Sequence, residues 1–127
     1  IVTTTQLADL IAKHVRRRGR IHPATRVFQA LRIAVNDELA TVEAGVKTAV
    51  SLLKPSGRLA VISFHSLEDR FVKRYFRQLA EPPLPPAAAS QFQLIKRKAI
   101  KASDDEMRAN PRSRSARLRV IEKIGVH

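Results

Sequence analysis

The run Leu59-Ala60-Val61-Ile62-Ser63-Phe64 restricts the fold of this chain more than any other stretch. It is apolar almost throughout and shows no polar alternation, which reads as a strand covered on both faces, as in a parallel sheet. Pro55-Ser56-Gly57 precedes it as a turn. Ser66-x-x-Asp69 follows it as a near capping box, with Asp in place of the usual Glu, and starts a helix whose apolar face is Phe71, Val72, Tyr75, Phe76 and Leu79. A strand of this kind needs neighbours, so the expectation is an α/β sheet rather than a helical bundle.

The flanks extend that pattern. Thr4 or Thr5 caps a first helix with Leu7, Leu10, Ile11, His14 and Val15 on one face, and Arg16-Arg17-Arg18-Gly19 ends it. Pro23 opens a second helical pattern with Val27, Phe28, Leu31, Ala34 and Val35 on one side. The period continues through Leu39, Val42, Val46, Ala49, Val50 and Leu53, as one long helix or as two with a break near Asn36-Asp37. Residues 81–90 hold four prolines in five consecutive positions and read as an extended linker. Residues 92–99 and 116–123 are the remaining strand candidates.

Charge supplies the first functional signal. The 127 residues include 24 Lys plus Arg against 11 Asp plus Glu, a formal charge of +13. Residues 10–36 hold seven basic side chains and no acid, and residues 94–119 hold nine against three acids. Such an excess attracts a polyanion through counterion release, and arginine adds forked donors that match phosphate oxygens. Nucleic acid is therefore the expected partner. Without cysteine there is no disulfide scaffold and no thiolate zinc site, and the four histidines lack metal-ligand spacing. No apolar run approaches the roughly 20 residues of a membrane helix, so a soluble protein with no membrane partner is expected. The chain opens on Ile rather than Met, and a piece of a longer protein is expected.

Three segments carry a family resemblance: the residues from Ile21-His22-Pro23-Ala24-Thr25-Arg26 to Asn36-Asp37-Glu38-Leu39, the run from Arg58 through Phe64-His65-Ser66-Leu67-Glu68-Asp69-Arg70, and Asn110-Pro111-Arg112-Ser113-Arg114-Ser115-Ala116-Arg117-Leu118-Arg119-Val120. With the Leu53-Lys54-Pro55-Ser56-Gly57 turn they resemble the bacterial 16S ribosomal RNA cytosine-N4 methyltransferases, the RsmH/MraW family. The resemblance implies the carboxy-terminal half of a class I (Rossmann-like) methyltransferase sheet. On that reading residues 1–22 are the end of an inserted helical domain, and residues 23–127 belong to the methyltransferase domain. It also implies methyl transfer from S-adenosyl-L-methionine to N4 of a cytidine, in the cytoplasm, with 16S rRNA in the small ribosomal subunit as partner. The family's cofactor motifs lie on its first four strands and have no match here. Gly19, Gly45, Gly57 and Gly125 are never spaced G-x-G. The expected chain is thus a catalytically inactive portion with no cofactor-binding residues of its own. It would seek the missing amino-terminal half, or self-associate or swap elements in its absence. A non-catalytic basic RNA-binding or ribosome-associated module is the alternative.

In open α/β sheets, ligands bind beyond the carboxyl ends of the parallel strands. If strand 92–99 runs parallel to strand 59–64 and strand 116–123 turns back, as the family fold implies, three segments converge at that edge. They carry the candidate RNA contacts Arg16, Arg17, Arg18, Arg20, Arg26, His65, Ser66, Arg112 and Arg114. No catalytic residue and no metal ligand is assigned. Glu68 and Asp69 read as first-turn charge favourable to the helix dipole. Asn36, Asp37 and Glu38 read as structural, and Phe28, Phe64, Phe71, Tyr75 and Phe76 as packing.

Overall fold

The computed structural model describes residues 1–82 and 89–125, so most of the Pro-rich segment lies outside the described residues. The chain divides into two compact units, Ile1–Ala40 and Thr41–His127.

In the first unit, α1 (Thr4–His14) begins in a capping box. Thr3 Oγ1 accepts from the Gln6 amide at 3.2 Å, and Gln6 Oε1 accepts from the Thr3 amide at 3.2 Å. The cap is Thr3 rather than Thr4 or Thr5. The helix also stops earlier than Gly19, at His14, whose Nδ1 lies 2.9 Å from the Leu10 carbonyl oxygen while Val15 turns extended. A β-branched residue leaves the helix there at low cost, so the arginines that follow sit on a connector instead of a helical face. α2 (Ala24–Asn36) starts behind Pro23, with the Ala24 amide donating to His22 Nδ1 at 3.1 Å. Val27, Phe28 and Ile33 are half-buried, whereas Leu31 and Val35, expected on the apolar face, are exposed. The helical pattern breaks at Asp37, whose backbone is left-handed at φ 51°. Glu38 opens α3 (Glu38–Ser51), which runs on into the second unit.

The second unit continues with β1 (Arg58–Ser63), α4 (Ser66–Ala80), β2 (Phe92–Leu94), α5 (Asp104–Ala109), a 3-10 turn (Pro111–Ser115) and β3 (Arg117–Lys123). The sheet order is β1-β3-β2, and β3 is antiparallel to both neighbours. β1 and β2 therefore point the same way. Leu59 and Leu94 both face Ile121 across the sheet, and with Val61 and Phe92 they make one apolar face. Val46 and Val50 of α3 and Val72 and Phe76 of α4 cover it. Ile121, Val72 and Phe76 are essentially inaccessible to solvent.

Two strand expectations need correction. β1 is paired on one side only among the described residues, and antiparallel, with Ile62 58% exposed. Its continuous apolar run paints both faces, but α3 and α4 cover one of them. β2 stops at Leu94 instead of reaching residue 99. Lys96, Arg97 and Lys98 leave the ladder, which resumes as an isolated bridge between Ile100 and Leu118. Three consecutive cations with no acid opposite favour solvent over a paired edge.

Truncating Phe76 to Ala in this core is expected to cost about 3–5 kcal/mol, whereas Leu52→Ala, on an exposed side chain, should stay within about 0.5 kcal/mol. Urea midpoints at unchanged slope check the pair.

Candidate nucleic-acid interface

The direction of the strands decides which residues meet. β1 ends at Ser63, which faces Arg117 at the start of β3, and Ile100 faces Leu118 one residue further on. The segment leaving β1 and the segment between Ile100 and β3 therefore share one rim. That rim brings together four of the sequence candidates: His65, Ser66, Arg112 and Arg114. Ser113 is buried, and its Oγ donates to the Asn110 carbonyl at 2.7 Å while its amide donates to the same oxygen at 3.0 Å. This anchors the middle of the 3-10 turn, so the arginines on either side are both exposed. Nearby acids are occupied within α5. Ser103 Oγ accepts from the Glu106 amide, Asp104, Asp105 and Glu106 occupy the positive end of the helix, and Asp105 pairs with Arg108.

His65 serves the fold first. It is the cap of α4, with Nδ1 accepting from the Glu68 amide at 3.4 Å, so the helix is capped by His65 and not by Ser66. An accepting Nδ1 assigns the ring proton to Nε2. Nε2 lies 3.2 Å from Glu68 Oε1, within ion-pair distance but without the alignment of a hydrogen bond. The other carboxylate oxygen of Glu68 accepts from the Phe64 amide at 3.3 Å. Glu68 thus braces the exit from β1. Phe64, expected to pack, is 54% exposed on this rim, and Ser66 is exposed beside it.

One ion pair holds α4 to the sheet. Arg119 Nε and Nη2 donate to the two oxygens of Asp69 at 2.8 and 3.0 Å, a bidentate arrangement with both side chains largely shielded. Hydrogen bonds from Arg119 hold the Asp69 carboxyl below its ordinary pKa, against the opposing effect of burial. From the sequence, Asp69 reads as the acid of a near capping box and as helix-dipole charge, and neither reading reaches Arg119. A pairing fifty residues apart leaves no local signal.

The remaining candidates lie in the Ile1–Ala40 unit. Arg16, Arg18 and Arg26 line one groove of about 360 Å³ with His14, Ile21 and His22. Arg17 folds back to donate to the Arg20 carbonyl at 3.1 Å. Glu38, which reads as structural, pairs with Arg32 at 3.0 Å. Among the described residues, no group of three His, Cys, Asp or Glu is placed to hold a metal, and no helix is long and apolar enough to cross a membrane.

Residues 1–124 match the profile of the MraW methylase family. The chain is similar to proteins named ribosomal RNA small subunit methyltransferase H. The identity is 54% to that of Thermomicrobium roseum over 98% of this chain, 52% to that of Magnetococcus marinus over 96%, and 57% to that of Stenotrophomonas maltophilia over 94%. These alignments take in 41%, 42% and 39% of the respective relatives, so the chain spans about two-fifths of their length.

The Asp69–Arg119 pair makes stability depend on pH in a defined direction. A carboxyl depressed in the folded state contributes stability above its unfolded pKa, about 3.9, and loses it as pH falls through the folded value. The stability gap between the native chain and Asp69→Asn should be constant above about pH 5 and close in more acidic solution. Urea unfolding across the acid range measures it, and a gap that persists undiminished into strong acid would contradict the assignment.

Proposed function

The chain belongs to the MraW methylase family, and on that premise we propose that it is the carboxy-terminal portion of an S-adenosylmethionine-dependent enzyme that methylates N4 of a cytidine in 16S ribosomal RNA. The observation that carries this reading is the outgoing rim, where β1 ends and the chain beyond β2 returns at Ile100, beside the exposed Arg112 and Arg114. In this proposal β1, β3 and β2 close one side of a class I (Rossmann-like) sheet. Residues 1–22 end an inserted helical domain, and residues 23–127 belong to the catalytic domain. The open edge of β1 supports the proposal. It is lined by an apolar cleft of about 290 Å³ that includes Val42, Val46, Val61 and Ile62, a place for a further strand. Alone, the chain would pair that edge with a second copy. The enzyme would work in the cytoplasm, where small subunits are assembled.

S-adenosylmethionine supplies an electrophilic methyl group to the reaction of such an enzyme. The residues described here do not fit it. The cleft beside β1 is almost wholly apolar, with Ser63 and Glu68 its polar members, and Glu68 already braces Phe64. The cofactor's site is assigned to the part of the enzyme that this chain does not span, and the chain alone is expected to bind RNA without methylating it.

The work left to these residues is holding the substrate. Arg112 and Arg114, with Arg16, Arg17, Arg18, Arg20 and Arg26, take phosphates. Such contacts fix the position of the RNA and leave the base to be read by other groups. His65 and Ser66 lie where the strand delivers the target cytosine. The exposed Ser66 hydroxyl can hydrogen-bond a base taken out of its stack, while His65, with Nε2 buried against Glu68, holds the strand exit in place, and orientation is what an exocyclic amine needs to attack a methyl group.

In the intact enzyme, the double substitution Arg112→Ala/Arg114→Ala is expected to weaken RNA binding. It should lower the slope of log affinity against log salt by about 1.4–1.8, at about 0.7–0.9 per phosphate contact. Binding titrations at several salt concentrations measure the slope, and an unchanged one would reject the assignment.

A further inference from the structure

Among the described residues five cations pair with carboxylates: Arg32 with Glu38, Lys47 with Glu43, Arg58 with Glu122, Arg108 with Asp105 and Arg119 with Asp69. Of the cations outside these pairs, one group away from the rim gathers around a concavity. Lys73 and Arg77 of α4, with Lys96 and Arg97 after β2, line a single narrow crevice whose floor includes Phe76 and Leu94. None of the four forms an ion pair among the described residues. Lys73 feels the charge of Asp69, but both oxygens of that carboxylate are taken by Arg119.

Structural duties account for only part of this group. Lysine and arginine beside a short edge strand discourage edge-to-edge association, which covers Lys96, Arg97 and the adjacent Lys98. Arg77 stands in the last turn of α4, where the helix dipole favours a cation. Neither reason explains why the helix aims Lys73, half-buried in its middle, at the same crevice as the strand-end cations. Four like charges around one concavity raise the local potential and call for a polyanion.

Position identifies that polyanion. β2 points the same way as β1, and the residues that follow it return to β3 at Ile100, opposite Leu118, beside the rim that carries His65, Arg112 and Arg114. α4 starts on that rim at Ser66 and descends from it, so Lys73 and Arg77 lie about 10 and 16 Å along its axis. The cations therefore continue the rim down the β2 flank of the Thr41–His127 unit. The geometry points to a second phosphate track, made by Lys73, Arg77, Lys96 and Arg97, that holds the RNA backbone as it leaves the rim. This inference rests on the RNA-binding reading above.

The test uses the full chain and a fluorescein-labelled RNA hairpin with a cytidine in its loop, titrated at several salt concentrations. Lys96→Ala/Arg97→Ala and Lys73→Ala/Arg77→Ala should each lower the salt slope by about 1.4–1.8, for two lost phosphate contacts. Lys47→Ala/Lys54→Ala, which removes the same charge away from rim and crevice, should leave the slope within error of the native value. Circular dichroism of each variant keeps loss of binding distinct from loss of fold, and Lys96→Gln/Arg97→Gln replaces any variant that unfolds. If Arg112→Ala/Arg114→Ala lowers the slope while the crevice variants leave it unchanged, the track is refuted and the rim stands. If no variant changes it, the RNA-binding reading fails as well. A loss that the Lys47/Lys54 control reproduces reduces the effect to net charge and overturns the track. So would crevice-dependent binding to phosphatidylglycerol vesicles with RNA affinity intact.

Discussion

Everything at the rim depends on β3 lying between β1 and β2. Ile121 is wholly inaccessible to solvent and sits opposite Leu59 on one side and Leu94 on the other, so this one residue joins three strands to the helical layer. Because β3 runs against both neighbours, β1 and β2 are parallel although they are not paired with each other. Both then point at one edge, which β1 reaches at Ser63 and the chain beyond β2 reaches at Ile100, together with the long connection that precedes β3. On the opposite face, Glu122 of β3 accepts from Arg58 of β1 and Gln93 of β2, and those hydrogen bonds hold its carboxyl below the ordinary range. Apolar burial on one face and a shared carboxylate on the other lock the same register.

Acidic side chains on this scaffold are spent on structure. Glu68 braces the exit from β1, Asp69 ties α4 to β3, Glu122 links the strands, and the acids of α5 cap or pair within their own helix. Of the exposed cations left over, three groups stand together: on the connector before α2, on the 3-10 turn and along the crevice beside β2. A chain of this charge repels itself when alone, and a phosphate backbone relieves that repulsion while gaining the entropy of released counterions.

Local chemistry made much of the fold legible. The left-handed Asp37 falls at the expected helix break, Pro55-Ser56-Gly57 turns into β1, and the apolar face of α4 packs as its spacing indicates. Misreadings arose where distant parts decide. An apolar run looks the same in an edge strand open on one side as in a strand covered on both, which hid the exposure of Ile62. His65 is an unusual cap, so the neighbouring serine drew the assignment. Of the site, the arginines of the 3-10 turn and the strand exit were visible, because strand order alone places them together. The bidentate Asp69–Arg119 pair and the approach of Lys73 to Arg97 depend on how α4 packs against β3 and β2, and no sequence spacing encodes that.

The central claim is that the outgoing rim of this sheet is the face that meets RNA. Ultraviolet crosslinking of the intact enzyme to small ribosomal subunits, followed by mass spectrometry of the peptides that carry nucleotide adducts, tests it most directly. The account predicts adducts on the peptides containing Phe64 to Ser66 and Arg112 to Arg114. Adducts confined to α3 and to the turn at Lys54, with the rim peptides unmodified, would contradict it.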